Sequence, residues 1–166
     1  MWAIAHRGGI MWNTEIGTIV RYLVNDTDIS DPSYPDERIE QTILVAAQLV
    51  STEIDFEQVY TINVERCSIS PDPTEPSSKD DGFINLISLK AACIIIGAEY
   101  KTHSLSAVRV SDGPSSIDMG GVATNFKSLY ADMCERYERT KLNFATTNNN
   151  VGEAILSPYG SYWSRH

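Results

Sequence analysis

The chain has 166 residues, enough for one domain with its own hydrophobic core and no covalent staples. Its 22 acidic against 13 basic residues leave a net charge of −9. That balance excludes tight, autonomous wrapping of DNA, because phosphate binding needs clustered Lys and Arg.

Residues 1–13, MWAIAHRGGIMWN, read as an irregular N-terminal arm. Gly8 and Gly9 break any helix, and Trp2 and Trp12 are apolar surface in want of a neighbour. Met1 and Met11 both remain possible natural starts, and the arm lacks the long apolar core of a secretory signal. Thr14 to Val24 reads as a short helix with Ile16, Ile19, Val20 and Leu23 on one face, capped by Asn13 or Thr14. The stretch 25–34, NDTDISDPSY, is dense in turn formers. Its Asp26, Asp28 and Asp31 suggest a calcium loop, but the central glycine and the closing glutamate of an EF-hand are absent, so a solvated loop is the better reading.

Pro35 is well placed to open a long helix to Ile54, with Asp36 and Glu37 in an acidic first turn. Ile39, Ile43, Ala46, Ala47, Val50 and Ile54 form its apolar stripe. From Glu57 to Ile69 β-branched residues alternate with polar ones, which predicts a strand. The next segment, 68–81, carries three prolines and reads as an extended, exposed loop.

Asp81 to Tyr100, DGFINLISLKAACIIIGAEY, is the stretch around which the rest is arranged. Leu86, Leu89, Cys93, Ile96 and Tyr100 recur at helical steps. Phe83, Ala92, Ile94 and Ile95 widen the stripe until 91–96 is apolar nearly all round, so this helix needs protein on most sides. Asp80 and Asp81 supply its N-cap and acidic first turn. No run of about eighteen uninterrupted apolar residues occurs, so no membrane span is expected. Ser106 to Ser111 alternates and predicts an antiparallel partner for the 59–65 strand. Asp112-Gly113-Pro114 reads as a turn and Gly120-Gly121 as a break. Val122 to Phe144 keeps helical spacing through Phe126, Leu129, Tyr130, Met133 and Tyr137, and Asp132–Arg136 and Glu135–Arg139 are acid-first pairs four apart. Thr146 to Asn150 reads as a flexible polar linker.

Cys67, Cys93 and Cys134 have no CxxC spacing. An odd, scattered set argues against a disulfide framework or a zinc site and for free thiols in a reducing compartment. No metal ligand set, cofactor fingerprint or nucleophile elbow is present. His6-Arg7-Gly8, with Glu53 and Asp55 further on, resembles the opening of the glycerophosphodiester phosphodiesterases, in which His6 would act as acid or base and Glu53 and Asp55 would bind metal. The second histidine expected after the acidic pair is missing, and the chain is short of the roughly 250 residues of that barrel. A non-enzyme is the stronger reading.

The order of elements carries a different resemblance. A short helix precedes NDTDISDPSYPDERIEQTILVAAQLV. A strand, a Pro-rich loop, LKAACIIIGAEY, GPSSIDMGG and a long helix with LYADMCERYE follow. With stretches such as Pro35-Asp36-Glu37-Arg38 and Leu89-Lys90-Ala91-Ala92, residues 14–160 resemble the head-to-tail connector proteins of long-tailed bacteriophages, also called adaptor or head completion proteins. The resemblance implies a mainly α fold, a small bundle of about four helices with a short β-hairpin or extended arm. It further implies a homo-oligomeric, dodecameric ring beneath the portal, with portal and tail or neck proteins as partners. Genomic DNA would pass through the channel without sequence-specific binding. The implied location is the virion head–tail junction, reached through the host cytoplasm during assembly, with no membrane and no cofactor.

The expected organisation is therefore an N-terminal arm (1–13), a helical connector domain (14–144) and an extended docking tail (145–166). In the tail, Ile155, Leu156, Tyr159, Tyr162 and Trp163 are the candidate partner-binding residues. Pro158 and Gly160 exclude a helix there, and large aromatic and aliphatic side chains are typical interface anchors.

Overall fold

A computed structural model describes residues 11–106, 110–112, 115–117 and 120–148. Its elements in chain order are helix α1 (Trp12–Leu23), helix α2 (Asp36–Glu53), strands β1 (Thr61–Asn63) and β2 (Ser68–Ser70), helix α3 (Asp81–Ser106), strands β3 (Val110–Asp112) and β4 (Ser115–Ile117), and helix α4 (Gly120–Asn148). The protein is mainly α, a small helical bundle with antiparallel hairpins.

Helix α3 is the hub: α1, α2 and α4 all pack against it. Cross-helix pairs fix the directions. Asn13 meets Glu40 and Arg21 meets Asp36, so α1 and α2 run antiparallel. Arg38 pairs with Glu99 and Glu53 with Lys90, so α2 and α3 also run antiparallel. Phe144 lies over Gly82 and Tyr130 over Gly97, so α4 returns along α3. A Cβ at Gly97 would lie 2.8 Å from the Tyr130 ring, so the glycine is what lets that ring approach. Phe83, Leu86, Ile87, Ala91, Ala92 and Ile95 supply the α3 side of the core.

Several helix ends are satisfied from outside the helix. Neither Asn13 nor Thr14 caps α1; Met11 occupies the N-cap position, with no side-chain cap. The Trp12 N–H instead donates to Asp72, 3.2 Å away in the Pro-rich loop, and the Asn13 side chain donates to Glu40. Pro35 sits at the N-cap of α2, one position before its first helical residue. The cap predicted for α3 is present: the Asp80 carboxylate accepts the Phe83 N–H at 2.9 Å. Its other oxygen accepts the Tyr60 hydroxyl at 2.8 Å. Burial, reinforced by that carboxylate, raises the Tyr60 phenol above its ordinary value.

The aspartate-rich loop 25–34 is organised by an ion pair. The Arg21 guanidinium reaches Asp26, Asp36 and the Tyr34 carbonyl. Asp26 is buried and also accepts the Ser33 N–H, while Asp28 closes a local turn on Ser30.

Four expectations need correction. The predicted strand 57–69 is a hairpin, with Ile62 opposite Ile69. Its alternation hid a turn in which Asn63 accepts the Arg66 N–H and Cys67 has φ 48°. Val110 and Ser111, the described end of the predicted 106–111 partner, pair elsewhere: they belong to β3, which pairs with β4, Asp112 opposite Ser115. Loop 68–81 is only partly exposed, because Pro73 and Thr74 are buried and Asp72 binds the Thr74 N–H and hydroxyl. Last, Cys93 and Cys134 form a disulfide and Cys67 alone is free. The two are 41 residues apart in sequence and meet only because α3 and α4 are antiparallel neighbours, with Cα atoms 5.1 Å apart. Alkylation of the denatured, unreduced protein is expected to label Cys67 alone, and intact mass after labelling checks it; three labels would rule the bridge out.

The long helices outrun their predicted ends. Helix α3 continues past Tyr100 to Ser106, and His103 in its last turn stacks on Phe126 with ring centroids 4.4 Å apart. Helix α4 begins at Gly120, so the glycine pair lies inside its first turn, and Thr146 to Asn148 belong to the helix rather than to a linker. Thr146 donates to the Asn143 carbonyl, which suits a threonine inside a helix. By rise per residue α3 spans about 39 Å and α4 about 43 Å, against about 27 Å for α2. Asp81–Leu105 is also long and apolar enough to cross a membrane by length and composition alone, but in this fold it is the helix on which the others pack.

Candidate functional site

The polar group that joins the three longest helices is Glu53, the last residue of α2. One carboxylate oxygen accepts from Lys90 at 2.8 Å, and the other from the Tyr137 hydroxyl at 2.6 Å and from Lys141 at 3.1 Å. This single side chain ties α2 to α3 and α4. Both lysines also lie over the Tyr137 ring, at 4.4 and 5.3 Å from its centroid. Burial pushes the Glu53 carboxyl up, but the hydrogen bonds from Lys90, Tyr137 and Lys141 outweigh it and lower its pKa to about 2. Tyr137 moves the other way, raised by burial and then by Glu53.

Beside this knot lies a groove of about 630 Å³ between the end of α2 and the last turns of α4. Ile54, Leu142, Phe144 and Ala145 give it an apolar floor, and Asp55, Glu135, Glu138 and Arg139 a charged rim. Leu142 is 63% exposed, a large aliphatic side chain with no cover among the described residues. Apolar floor and charged rim suit a peptide rather than a small reacting molecule.

A second exposed region is the far end of the α3–α4 pair. Arg38, near the start of α2, meets α3 at Glu99, so the last turns of α3 lie beyond α2. There Leu105 is 85% exposed, and alongside Ala98, on the neighbouring α4, Leu129 is 55% exposed.

The residues singled out in the sequence are distributed unevenly over these features. Ile155, Leu156, Tyr159, Tyr162 and Trp163 lie outside the described residues, as does His6. Glu53 is placed, but two ammonium groups and a phenol already occupy its oxygens, which leaves a poor metal ligand. Among the described residues no group of three His, Cys, Asp or Glu is placed to hold a metal ion. The groove itself escaped the sequence reading. One signal was available: Glu53 follows twelve uncharged helical residues, 41–52, and a lone charge at the end of such a run needs a partner.

No family model, no curated protein and no solved structure matches this chain.

Proposed function

We propose that this chain is a structural subunit that forms a ring between the portal and the tail or neck proteins of a long-tailed bacteriophage. Genomic DNA passes through that ring without sequence-specific contact. The observation that carries the reading is the long α3–α4 pair: α3 runs on past α2 to an exposed Leu105, and α4 carries an exposed Leu129 alongside Ala98. A subunit completed by its neighbours needs such a surface. The element order that resembles the connector proteins points the same way. The net charge of −9 suits a channel wall past which DNA slides, since like charges repel. In this reading the protein is not an enzyme and needs no cofactor. It reaches the head–tail junction of the virion from the host cytoplasm.

Native mass and negative-stain images of the purified protein, alone and with portal, test the proposal. A closed homo-oligomer with a central opening, or one that forms only on portal, is the expected result. A monomer at every concentration that ignores portal would refute it and would favour a generic helical interaction module.

A further inference from the structure

We propose that the groove between the end of α2 and the last turns of α4 is the dock for the chain's own C-terminal segment, 151–166. The contact is intramolecular and holds whether or not the chain forms a ring.

Position is the first reason. Helix α4 ends at Asn148, one turn beyond Phe144 and Ala145, which line the groove. The segment is therefore tethered at the groove's rim. Reach is the second. From Asn148 back to Glu135, the far end of the groove, is about 20 Å along the helix. Sixteen residues of extended chain span up to about 50 Å, more than enough to lie back along it. By sequence, Pro158 and Gly160 disfavour a helix around the apolar anchors, and an extended chain is the form a narrow groove accepts.

Chemistry is the third reason. Ile155, Leu156 and Tyr159 match the apolar floor of Ile54, Leu142 and Phe144. Arg165, the segment's only Lys or Arg, matches Asp55 on the rim, which pairs with no basic side chain among the described residues, whereas Glu135 and Glu138 are already held by Arg139 and Lys141. Glu53 does not compete for it, since Lys90 and Lys141 already neutralise that carboxylate. A short tether gives the segment an effective concentration in the millimolar range, so even a weak groove stays mostly filled by its own chain. The dock holds the apolar anchors out of water until a stronger acceptor draws them away.

Chymotrypsin nicking of the full-length protein at Tyr159, Tyr162 and Trp163, followed by mass over a range of protein concentrations, tests this. Two variants serve as references: Leu142→Glu in the groove, where the exposed side chain leaves the core untouched, and Leu156→Glu in the segment. The unaltered chain should be nicked about tenfold more slowly than either variant, the protection given by a ~0.1 mM site at millimolar effective concentration. The protection should not change with concentration. Equal rates in all three proteins overturn the dock. Protection that grows with concentration overturns the intramolecular contact and assigns the groove to a second copy's segment. Should Leu142→Glu fail to melt cooperatively, Leu156→Glu decides alone.

Discussion

Aspartate in place of Ile95 is expected to abolish cooperative folding, whereas aspartate at the adjacent Ile96 is expected to leave a folded, weakened protein. The two residues look equivalent in the sequence, within the run Ile94-Ile95-Ile96. They are not equivalent on α3: Ile95 is 2% exposed and faces the bundle, while Ile96 is half-buried. Removing a buried isoleucine side chain costs about 2–5 kcal/mol. Forcing a carboxylate into the same place adds several more, whether it stays charged or takes up a proton. The sum rivals the roughly 5–15 kcal/mol by which a whole domain is stable. At Ile96 the new carboxylate turns to water, and a cost of about 1–2 kcal/mol is expected. Near-ultraviolet circular dichroism and thermal melts of both variants check this. Equal behaviour of the two would mean that the rotation of α3 about its axis is misassigned.

The second large effect is expected at Glu53. Glu53→Ala leaves the Lys90 ammonium and the buried Tyr137 hydroxyl without their shared acceptor, at a cost of about 2–3 kcal/mol. Glu53→Gln keeps an acceptor but loses the charge, and roughly half that loss is expected. The sign of the pH dependence follows from the direction of the shift. The folded carboxyl sits at about 2, below its ordinary 4.5. Its contribution is therefore complete above the ordinary value and is lost as pH falls from there towards 2. The full shift would correspond to about 3 kcal/mol, and partial exposure of the side chain reduces that to about 2. Denaturant titrations of the native chain and Glu53→Gln between about pH 6 and 2.5 should show the gap between them closing on acidification. A constant gap would show that the knot carries no net charge-dependent stability.

The helices were legible because each has one dominant apolar period. Ile39, Ile43, Ala46, Ala47, Val50 and Ile54 share one stripe in the sequence, and all six are buried, with Ile54 at the C-cap of α2. The central place of α3 was also legible, since its apolar surface is too wide for one neighbour to cover. Helix ends were not, because tertiary partners decide them: His103 on Phe126 carries α3 past Tyr100, and Asp72 serves the N–H of Trp12 from a distant loop. The hairpins failed for a related reason. Three-residue strands hold too few alternations to separate from a turn, and pairing between distant segments leaves no local mark. The Cys93–Cys134 contact and the convergence of Lys90, Tyr137 and Lys141 on Glu53 depend on which helices become neighbours, which periodicity does not encode. The groove is the by-product of that convergence.

The unequal lengths of the helices also grade the molecule's resistance to opening. Near Phe83 to Leu89, α3 is held by α1, α2, the Phe56–Tyr60 segment and α4 together, whereas beyond Glu99 it has chiefly α4 beside it. Amide protons in the first turns of α3 should therefore exchange only through global unfolding, while those near His103 and Phe126 should exchange through a local separation of the two helix ends. The Cys93–Cys134 bridge lies between one and two turns inside Glu99, in the part that α2 still covers, and it halts that fraying before it reaches Ala92. The far end can thus splay or reshape against a neighbour while the hub behind it stays intact.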